Sequence, residues 1–114
     1  MPAPEHTVQS IIANLQRLFN TRRGSLAHLP EYGLPDMTTV YLDAPDSIDR
    51  LRRAVQEAAE RYEPRLKRIH VETSDINLMQ MRTTFILSGE LGRGGRLRLE
   101  TTFLSQDLAQ VRNL

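Results

Sequence analysis

Two segments of the chain place apolar residues on one face of a helix. Between Thr7 and Asn20, and again between Asp46 and Glu63, apolar residues recur every three or four positions, which is the period of an amphipathic helix. Pro64 disfavours helical backbone at the residue before it, so the second helix is expected to end near Glu63. The two stripes are Ile11, Ile12, Leu15, Leu18 and Phe19 in the first helix, and Ile48, Leu51, Val55, Ala58, Ala59 and Tyr62 in the second.

Polar residues add detail to the second helix. It is expected to begin after Pro45, with the side chain of Asp46 or Ser47 accepting a hydrogen bond from a free backbone N–H. On its solvent side we expect two ion pairs, because an acidic residue four positions before a basic one lies next to it on a helix. The pairs are Asp49 with Arg53 and Glu57 with Arg61.

In the C-terminal half of the chain the period of the apolar residues changes to two. Residues 69–72, 79–88 and 97–103 alternate between apolar and polar, with Met79, Met81, Thr83, Phe85 and Leu87 on one side of the middle segment. A glycine-rich turn at Gly92–Gly95 separates the last two segments, which predicts a β-hairpin. The expected fold is α+β, with two helices packed on one face of a small, mainly antiparallel sheet that includes a C-terminal β-hairpin.

The remaining segments complete a predicted single domain over residues 1–114. Residues 22–36 contain two glycines and two prolines and are expected to form a long loop whose apolar side chains pack down. Residues 39–42 are expected to form a short strand. Residues 1–6 are predicted to be a flexible leader, and residues 105–114 a tail or frayed helix.

Composition narrows the classes of function. The 114 residues carry 15 basic and 14 acidic side chains, for a net charge of +1, so nucleic acid is not an expected partner. The chain has no cysteine, which excludes disulfides and thiolate metal sites. Neither a signal peptide nor an apolar run of membrane-spanning length is present, so we expect a cytoplasmic protein without direct membrane insertion.

The chain contains few candidates for chemistry. His6, His28 and His70 are far apart and show no metal-ligand spacing, and Ser25, His28 and Asp36 lack the motif of a nucleophile. No catalytic residue, metal or cofactor is therefore predicted.

Glu63 and the region of the Gly92–Gly95 turn can each be interpreted either as functional or as purely structural. Glu63 could serve as the acid of a glycosidase, but the pattern singles out no second carboxylate for it. The turn at Gly92–Gly95 joins strands and so reads as a hairpin tip. The arginines at and after it could meet an acidic partner or simply cover a solvated strand face; they are Arg93, Arg96 and Arg98.

Two motifs point to a known family. Residues 20–25 read Asn-Thr-Arg-Arg-Gly-Ser and lead to Tyr-Gly-Leu-Pro-Asp at residues 32–36, and Glu-Pro-Arg follows at residues 63–65. In this order and over about residues 8–105, they resemble the signatures of the TssE family of type VI secretion baseplate wedge proteins. That family is named after a phage gene-25-like lysozyme.

The resemblance implies a structural subunit without catalysis, and a fold like the innermost domain of a contractile sheath. The implied partners are the baseplate proteins TssF and TssG, with the sheath proteins TssB and TssC polymerising from the wedge near the inner membrane. It implies a partner-binding role for Glu63, Pro64 and Arg65. The other signature comprises Arg22, Gly24, Ser25, Tyr32, Gly33, Leu34, Pro35 and Asp36, for which the resemblance implies a role in shaping the loop.

Two points stay open in the sequence. Many type VI members carry an additional N-terminal segment, whereas only a few residues precede Thr7 here, so the system could be type VI, phage or another contractile machine. The family's historical name keeps a peptidoglycan-cleaving muramidase as the alternative function, which would need two carboxyl groups facing each other across a cleft.

Overall fold

The computed structural model describes residues 4–92, 94–105 and 108–114, with the side chains of residues 4–6 left aside. It has the predicted α+β architecture, with helices on one face of a four-stranded antiparallel sheet. The elements are α1 (Pro4–Phe19), α2 (Met37–Leu42), α3 (Asp46–Tyr62), β1 (Leu66–Asn77), β2 (Arg82–Leu91), β3 (Arg96–Leu104) and β4 (Gln110–Asn113).

The two predicted helices are present as α1 and α3. Helix α1 begins at Pro4, so residues 4–6 of the predicted flexible leader belong to its first turn, and residues 1–3 lie outside the described part of the chain. Helix α3 ends at Tyr62, as Pro64 predicts. Both helices bury the apolar stripes read from the sequence, with Ile11, Leu15, Leu51 and Val55 all at most 1% exposed.

The start of α3 differs from the prediction. Its N-terminal cap is Pro45, which has no side chain able to accept a hydrogen bond, so neither Asp46 nor Ser47 caps the helix. The Ser47 hydroxyl is buried and donates to the carbonyl of Val40 in α2. The Ser47 hydroxyl therefore joins α3 to α2 and does not cap the start of its own helix.

One of the two predicted ion pairs on α3 forms. Asp49 lies 3.4 Å from Arg53 and also bonds Arg52 at 2.9 Å. Arg61 instead pairs with Glu31 in the preceding loop, so the Glu57–Arg61 pair is a wrong prediction. All of these side chains except Arg52 are more than half exposed, and such pairs contribute little to stability.

The predicted short strand at residues 39–42 is also wrong, because this segment belongs to helix α2. Asp36 caps α2 through a hydrogen bond from the backbone N–H of Thr38 to its carboxylate (3.3 Å). Val40 and Tyr41 face the protein interior. The spacing of apolar residues in this short segment fits a strand as well as a helix. The cap supplied by Asp36 favours the helix.

The sheet has the order β1-β2-β3-β4, with every neighbouring pair antiparallel. The hairpin β2–β3 runs in unbroken register from Arg82–Leu104 to Glu90–Arg96. Strand β2 begins at Arg82, so Met79 and Met81 lie in the preceding turn, are exposed, and do not join the apolar face as predicted. Residues 110–113 of the predicted tail form β4 against β3, whereas residues 106 and 107 lie outside the description.

Side chains of the helices bind the outer edges of the sheet. Gln16 accepts from the N–H of Val111 in β4 (2.8 Å), and Asn20 accepts from the N–H of Ala109 (2.6 Å), just before this strand. On β1, Gln56 accepts from the N–H of Val71 at 3.1 Å. These bonds satisfy edge groups that would otherwise be open to pairing with another strand.

The core fills the space between the helices and the inner face of the sheet. Phe103 of β3 lies at its centre, with its ring 5.8 Å from the rings of both Phe19 and Phe85. On β2 and β3 every second residue from Thr83 to Gly89 and from Leu97 to Phe103 is buried, as the period of two predicts. The opposite face of these strands carries no helix in the described chain.

Replacing Tyr41 by phenylalanine tests how α2 is attached to the sheet. The Tyr41 hydroxyl donates to the Phe103 carbonyl (2.7 Å) and lies 2.8 Å from the hydroxyl of the fully buried Thr83. Because Tyr41→Phe leaves two buried polar groups without this partner, we expect a loss of about 1–3 kcal/mol in the free energy of unfolding, measured in urea.

The control is the double variant Tyr41→Phe/Thr83→Val, which also removes the stranded Thr83 hydroxyl. It should be more stable than the sum of the two single changes predicts. Strict additivity would contradict the proposed contact.

Candidate partner-binding site

Glu63 is an ionised side chain removed from solvent at the junction of α3 and β1. Its carboxylate is 0% exposed, and it receives two hydrogen bonds from the Arg65 guanidinium, at 2.8 and 2.9 Å. The backbone N–H of Arg65 donates a third bond at 3.1 Å. The short Glu-Pro-Arg segment therefore folds back on itself, and a two-pronged arginine–carboxylate contact fixes the orientation of Arg65.

Helix α1 supplies the other partners of this ion pair. The Asn14 amide donates to the Glu63 carboxylate and to the Tyr62 carbonyl, both at 3.0 Å. Arg65 donates to the Ser10 hydroxyl at 2.7 Å. The ion pair thus ties the first helix to the C-terminal end of α3 and to the start of β1. Nothing in the local sequence around Ser10 or Asn14 signals this role.

The surroundings of Glu63 keep it charged. Burial of the carboxylate acts to raise its pKa, but the hydrogen bonds from Arg65 and Asn14 act in the opposite direction and lower the pKa of Glu63 below its ordinary value. The same hydrogen bond raises the pKa of Arg65, so both side chains are held in their charged forms. A glycosidase acid needs a carboxyl group held protonated, so Glu63 does not fit the acid of a muramidase.

The exposed part of this segment consists of Pro64 and one side of Arg65. Both residues are exposed, and the Arg65 side chain keeps 42% of its surface in solvent while Glu63 keeps none. A protein that approaches the α3–β1 junction therefore meets the proline ring and a guanidinium already held in one orientation. Glu63 lies beneath them and positions the arginine.

The loop of the other signature is held by a short parallel pairing between its two ends. Leu34 receives a hydrogen bond from the N–H of Arg23 at 2.8 Å and donates one to Thr21 at 2.9 Å. Gly33 lies against this pairing with φ +115°, and a Cβ at this position would be 2.3 Å from the Thr21 carbonyl oxygen. Only glycine fits here.

The other members of this signature fall into three groups. Leu34 joins the core at 1% exposure, and Asp36 caps α2. Gly24 has φ +91° in an open turn. The rest line the surface of the loop, half-buried at Tyr32 and Pro35 and exposed at Arg22 and Ser25.

Aromatic and ionic contacts join this loop to the end of α3. The rings of Tyr32 and Tyr62 meet edge to face with their centroids 4.9 Å apart, and Arg61 both pairs with Glu31 and lies 5.4 Å from the Tyr62 ring centre. A cleft of about 260 Å³ separates the loop from α3 beside these contacts. The signature loop therefore contacts the last residue of α3, Tyr62, which directly precedes the Glu-Pro-Arg segment.

The remaining chemical candidates do not assemble. His28 and His70 are exposed, and the side chain of His6 lies outside the description. The Asp36 carboxylate is engaged at the start of α2 rather than with Ser25 or His28. Within the described ranges, no group of three His, Asp or Glu side chains could hold a metal ion. None of the helices described here is both long and apolar enough to cross a bilayer.

Comparison with known proteins identifies the class to which this fold and surface belong. Residues 5–93 match the family described as baseplate wedge protein gp25, and the chain belongs to this family. No curated protein matches the sequence.

Two solved structures share the fold. A chain of the baseplate complex from the type VI secretion system is 31% identical, with a TM-score of 0.77 over 90% of this chain and 97% of that one. A tail lysozyme-like protein from Geobacter sulfurreducens is 17% identical, with a TM-score of 0.68 over 94% and 96%. The first likeness and the family together make this chain a structural baseplate component, whereas the second shows the fold alone.

Replacing Gly33 by alanine should open the signature loop. The added Cβ meets the Thr21 carbonyl in a backbone conformation that L-residues rarely adopt, so we expect a loss of about 3 kcal/mol or more in the free energy of unfolding. Gly24→Ala is the matched control, because Gly24 also has a positive φ but open space around it. It should cost only about 1 kcal/mol. Equal losses in the two variants would show that the close contact does not matter.

Changing Glu63 to glutamine should make stability less dependent on pH. A carboxylate whose pKa is lowered by folding stabilises the folded state fully above its ordinary pKa of 4.5, and this contribution is lost as the pH falls through the folded value. Wild type should therefore exceed Glu63→Gln by about 1–3 kcal/mol at neutral pH. The gap should close below the ordinary pKa, as measured by urea unfolding across the pH range.

Glu60→Gln provides the control for this series, because Glu60 is exposed on the same helix. Its stability should follow that of the wild type at every pH. A gap between wild type and Glu63→Gln that persisted unchanged into strong acid would contradict an ionised Glu63.

Proposed function

We propose that this chain is a non-catalytic wedge subunit of a type VI-like contractile injection system, working in the cytoplasm and assembling with TssF- and TssG-like proteins. The family match and the likeness to a type VI baseplate chain support the class of assembly. The Glu63–Arg65 ion pair supports the mode of contact, because it presents Pro64 and Arg65 on a rigid junction.

A preformed contact surface favours assembly for a physical reason. A free arginine loses side-chain freedom when it is immobilised in an interface, which costs about 0.5–1.5 kcal/mol. Arg65 has already lost that freedom, because Glu63 and Ser10 hold its guanidinium in the isolated chain. A partner therefore gains the exposed side of a charged, fork-shaped donor at little further cost. We assign Pro64 and Arg65 to the contact and Glu63 to positioning them.

We further propose that the sheet serves as the platform from which sheath proteins such as TssB and TssC polymerise. Helix side chains bond the backbone at Val111 of β4 and at Ala109 just before it, and at Val71 on the edge of β1. Beyond Val71, the residues of β1 from Glu72 to Ile76 are exposed. This stretch is the natural place for a strand donated by another subunit, since an edge strand offers backbone groups for pairing.

Co-purification tests the wedge proposal. We expect wild-type protein to form a stable complex with the TssF- and TssG-like proteins of the same genome. Pro64→Glu, which places a negative charge on the exposed junction and keeps Glu63 and Arg65 themselves, should lose this complex, because a charge buried without a partner opposes assembly. Arg50→Glu, on the exposed side of α3, should retain it.

The melting temperature of each variant separates misfolding from loss of binding. Pro64→Glu should melt within a few degrees of the wild type. A complex that survived Pro64→Glu would remove the junction from the interface. A wild-type chain that formed no complex at all would argue against the wedge role itself, and would give weight to the muramidase alternative in a cell-wall turbidity assay.

A further inference from the structure

Basic side chains gather on the outer side of the sheet beside the β2–β3 turn. Lys67, Arg68 and Arg96 line a cleft of about 410 Å³ whose floor includes the glycines of that turn. One acidic side chain, Glu90, lies among them. Three positive charges against one negative leave this small region distinctly basic, although the whole chain has a net charge of only +1. We name it the basic cleft.

A bulge in β1 places two of these side chains on the same side. The register between β1 and β2 shifts between Lys67 and His70, and Arg68 has φ 53°, a left-handed conformation that a non-glycine residue adopts at a cost. As a result Lys67 and Arg68 are both exposed between the buried Leu66 and Ile69. A regular strand would have turned one of the two inward. The bulge thus adds a basic group to the outer surface.

The turn beside these side chains leaves room for another chain. A Cβ added at Gly92, Gly94 or Gly95 would meet nothing within 4 Å, so an incoming backbone can approach this turn closely. Glu90 pairs with Arg68 at 3.4 Å, but that arginine remains 84% exposed and so still reaches solvent. Lys67 and Arg96 flank Glu90 on the two neighbouring strands.

We propose that the basic cleft binds an acidic segment of a partner protein. Carboxylates are the expected ligand, because arginine donates to them in a two-pronged geometry and the cleft presents Arg68 and Arg96 together with Lys67. Single-stranded nucleic acid is less well matched, since its bases need aromatic side chains to stack on and none lines the described cleft. Of the arginines noted in the sequence, Arg96 lies in the cleft, Arg98 pairs with Ser88 one row away, and Arg93 lies outside the described residues.

The basic cleft shares no residue with the proposed wedge contact, although Lys67 follows Arg65 by only two positions. The test uses the full chain labelled with ¹⁵N and a synthetic glutamate-rich peptide as the probe. We expect amide shifts at Lys67, Arg68 and Arg96 that saturate with peptide. They should weaken when NaCl is raised from about 50 mM to about 500 mM, because salt screens exposed charges.

Charge removal distinguishes the basic cleft from general attraction. Lys67→Gln/Arg96→Gln should bind the glutamate peptide at least about tenfold more weakly, whereas Arg17→Gln/Arg50→Gln, which removes the same charge from exposed helix positions, should bind it like the wild type. Arg68→Asn should also weaken binding with an unchanged melting temperature, because asparagine tolerates the left-handed backbone.

Four results would overturn the proposal. They are no peptide binding by the wild type, equal binding of a glutamine analogue of the peptide, equal weakening by the two double variants, and tighter binding of oligothymidine than of the peptide. The last result would assign the basic cleft to nucleic acid. Failure of the wedge co-purification would leave this peptide result unaffected, so the two proposals fail separately.

Discussion

The carboxylate of Glu63 is withdrawn from water at the place where α1, α3 and β1 meet, and this requires everything around it to be in position. A buried charge is costly unless its hydrogen-bonding capacity is filled. Here Arg65 and Asn14 fill it together. Since one partner comes from the same short segment and the other from the first helix, the charge is stable only when the helices and the sheet are packed correctly. The ion pair therefore links local chain geometry to the global fold.

The same junction combines a buried ion-pair partner with an exposed surface, on which the proposed wedge contact rests. Glu63 contributes inside the protein, whereas Pro64 and Arg65 carry the exposed surface. The signature loop contacts Tyr62, the residue before Glu63, through Tyr32, and its shape depends on a glycine that leaves room for a backbone carbonyl. Motifs of a structural subunit need not be catalytic: here they fix the shape of a loop and the orientation of an arginine.

The two faces of the sheet have different surroundings. The inner face and the helices form the core, and the outer face and edges carry polar groups and charges. Helix side chains cover specific edge groups at Val71, Ala109 and Val111, which limits the places where another strand can pair. Three residues before Val71, the bulge in β1 exposes an additional charge, that of Arg68, at the cost of a left-handed backbone conformation. Both proposed contact regions of the sheet therefore lie where the regular ladder is interrupted or ends.

Local patterns in the sequence determined the two long helices, the β2–β3 hairpin, the apolar face of the sheet and the end of α3 at Pro64. These features depend on the period of apolar residues and on backbone preferences, which act between near neighbours. The short α2 and β4 were missed because their few residues suit several conformations. Only tertiary packing decided that Ser47 would bond α2 and that Arg61 would pair with Glu31. It likewise brought Asn14 to Glu63 across 49 positions, since such contacts depend on where whole elements lie and leave no trace in local spacing.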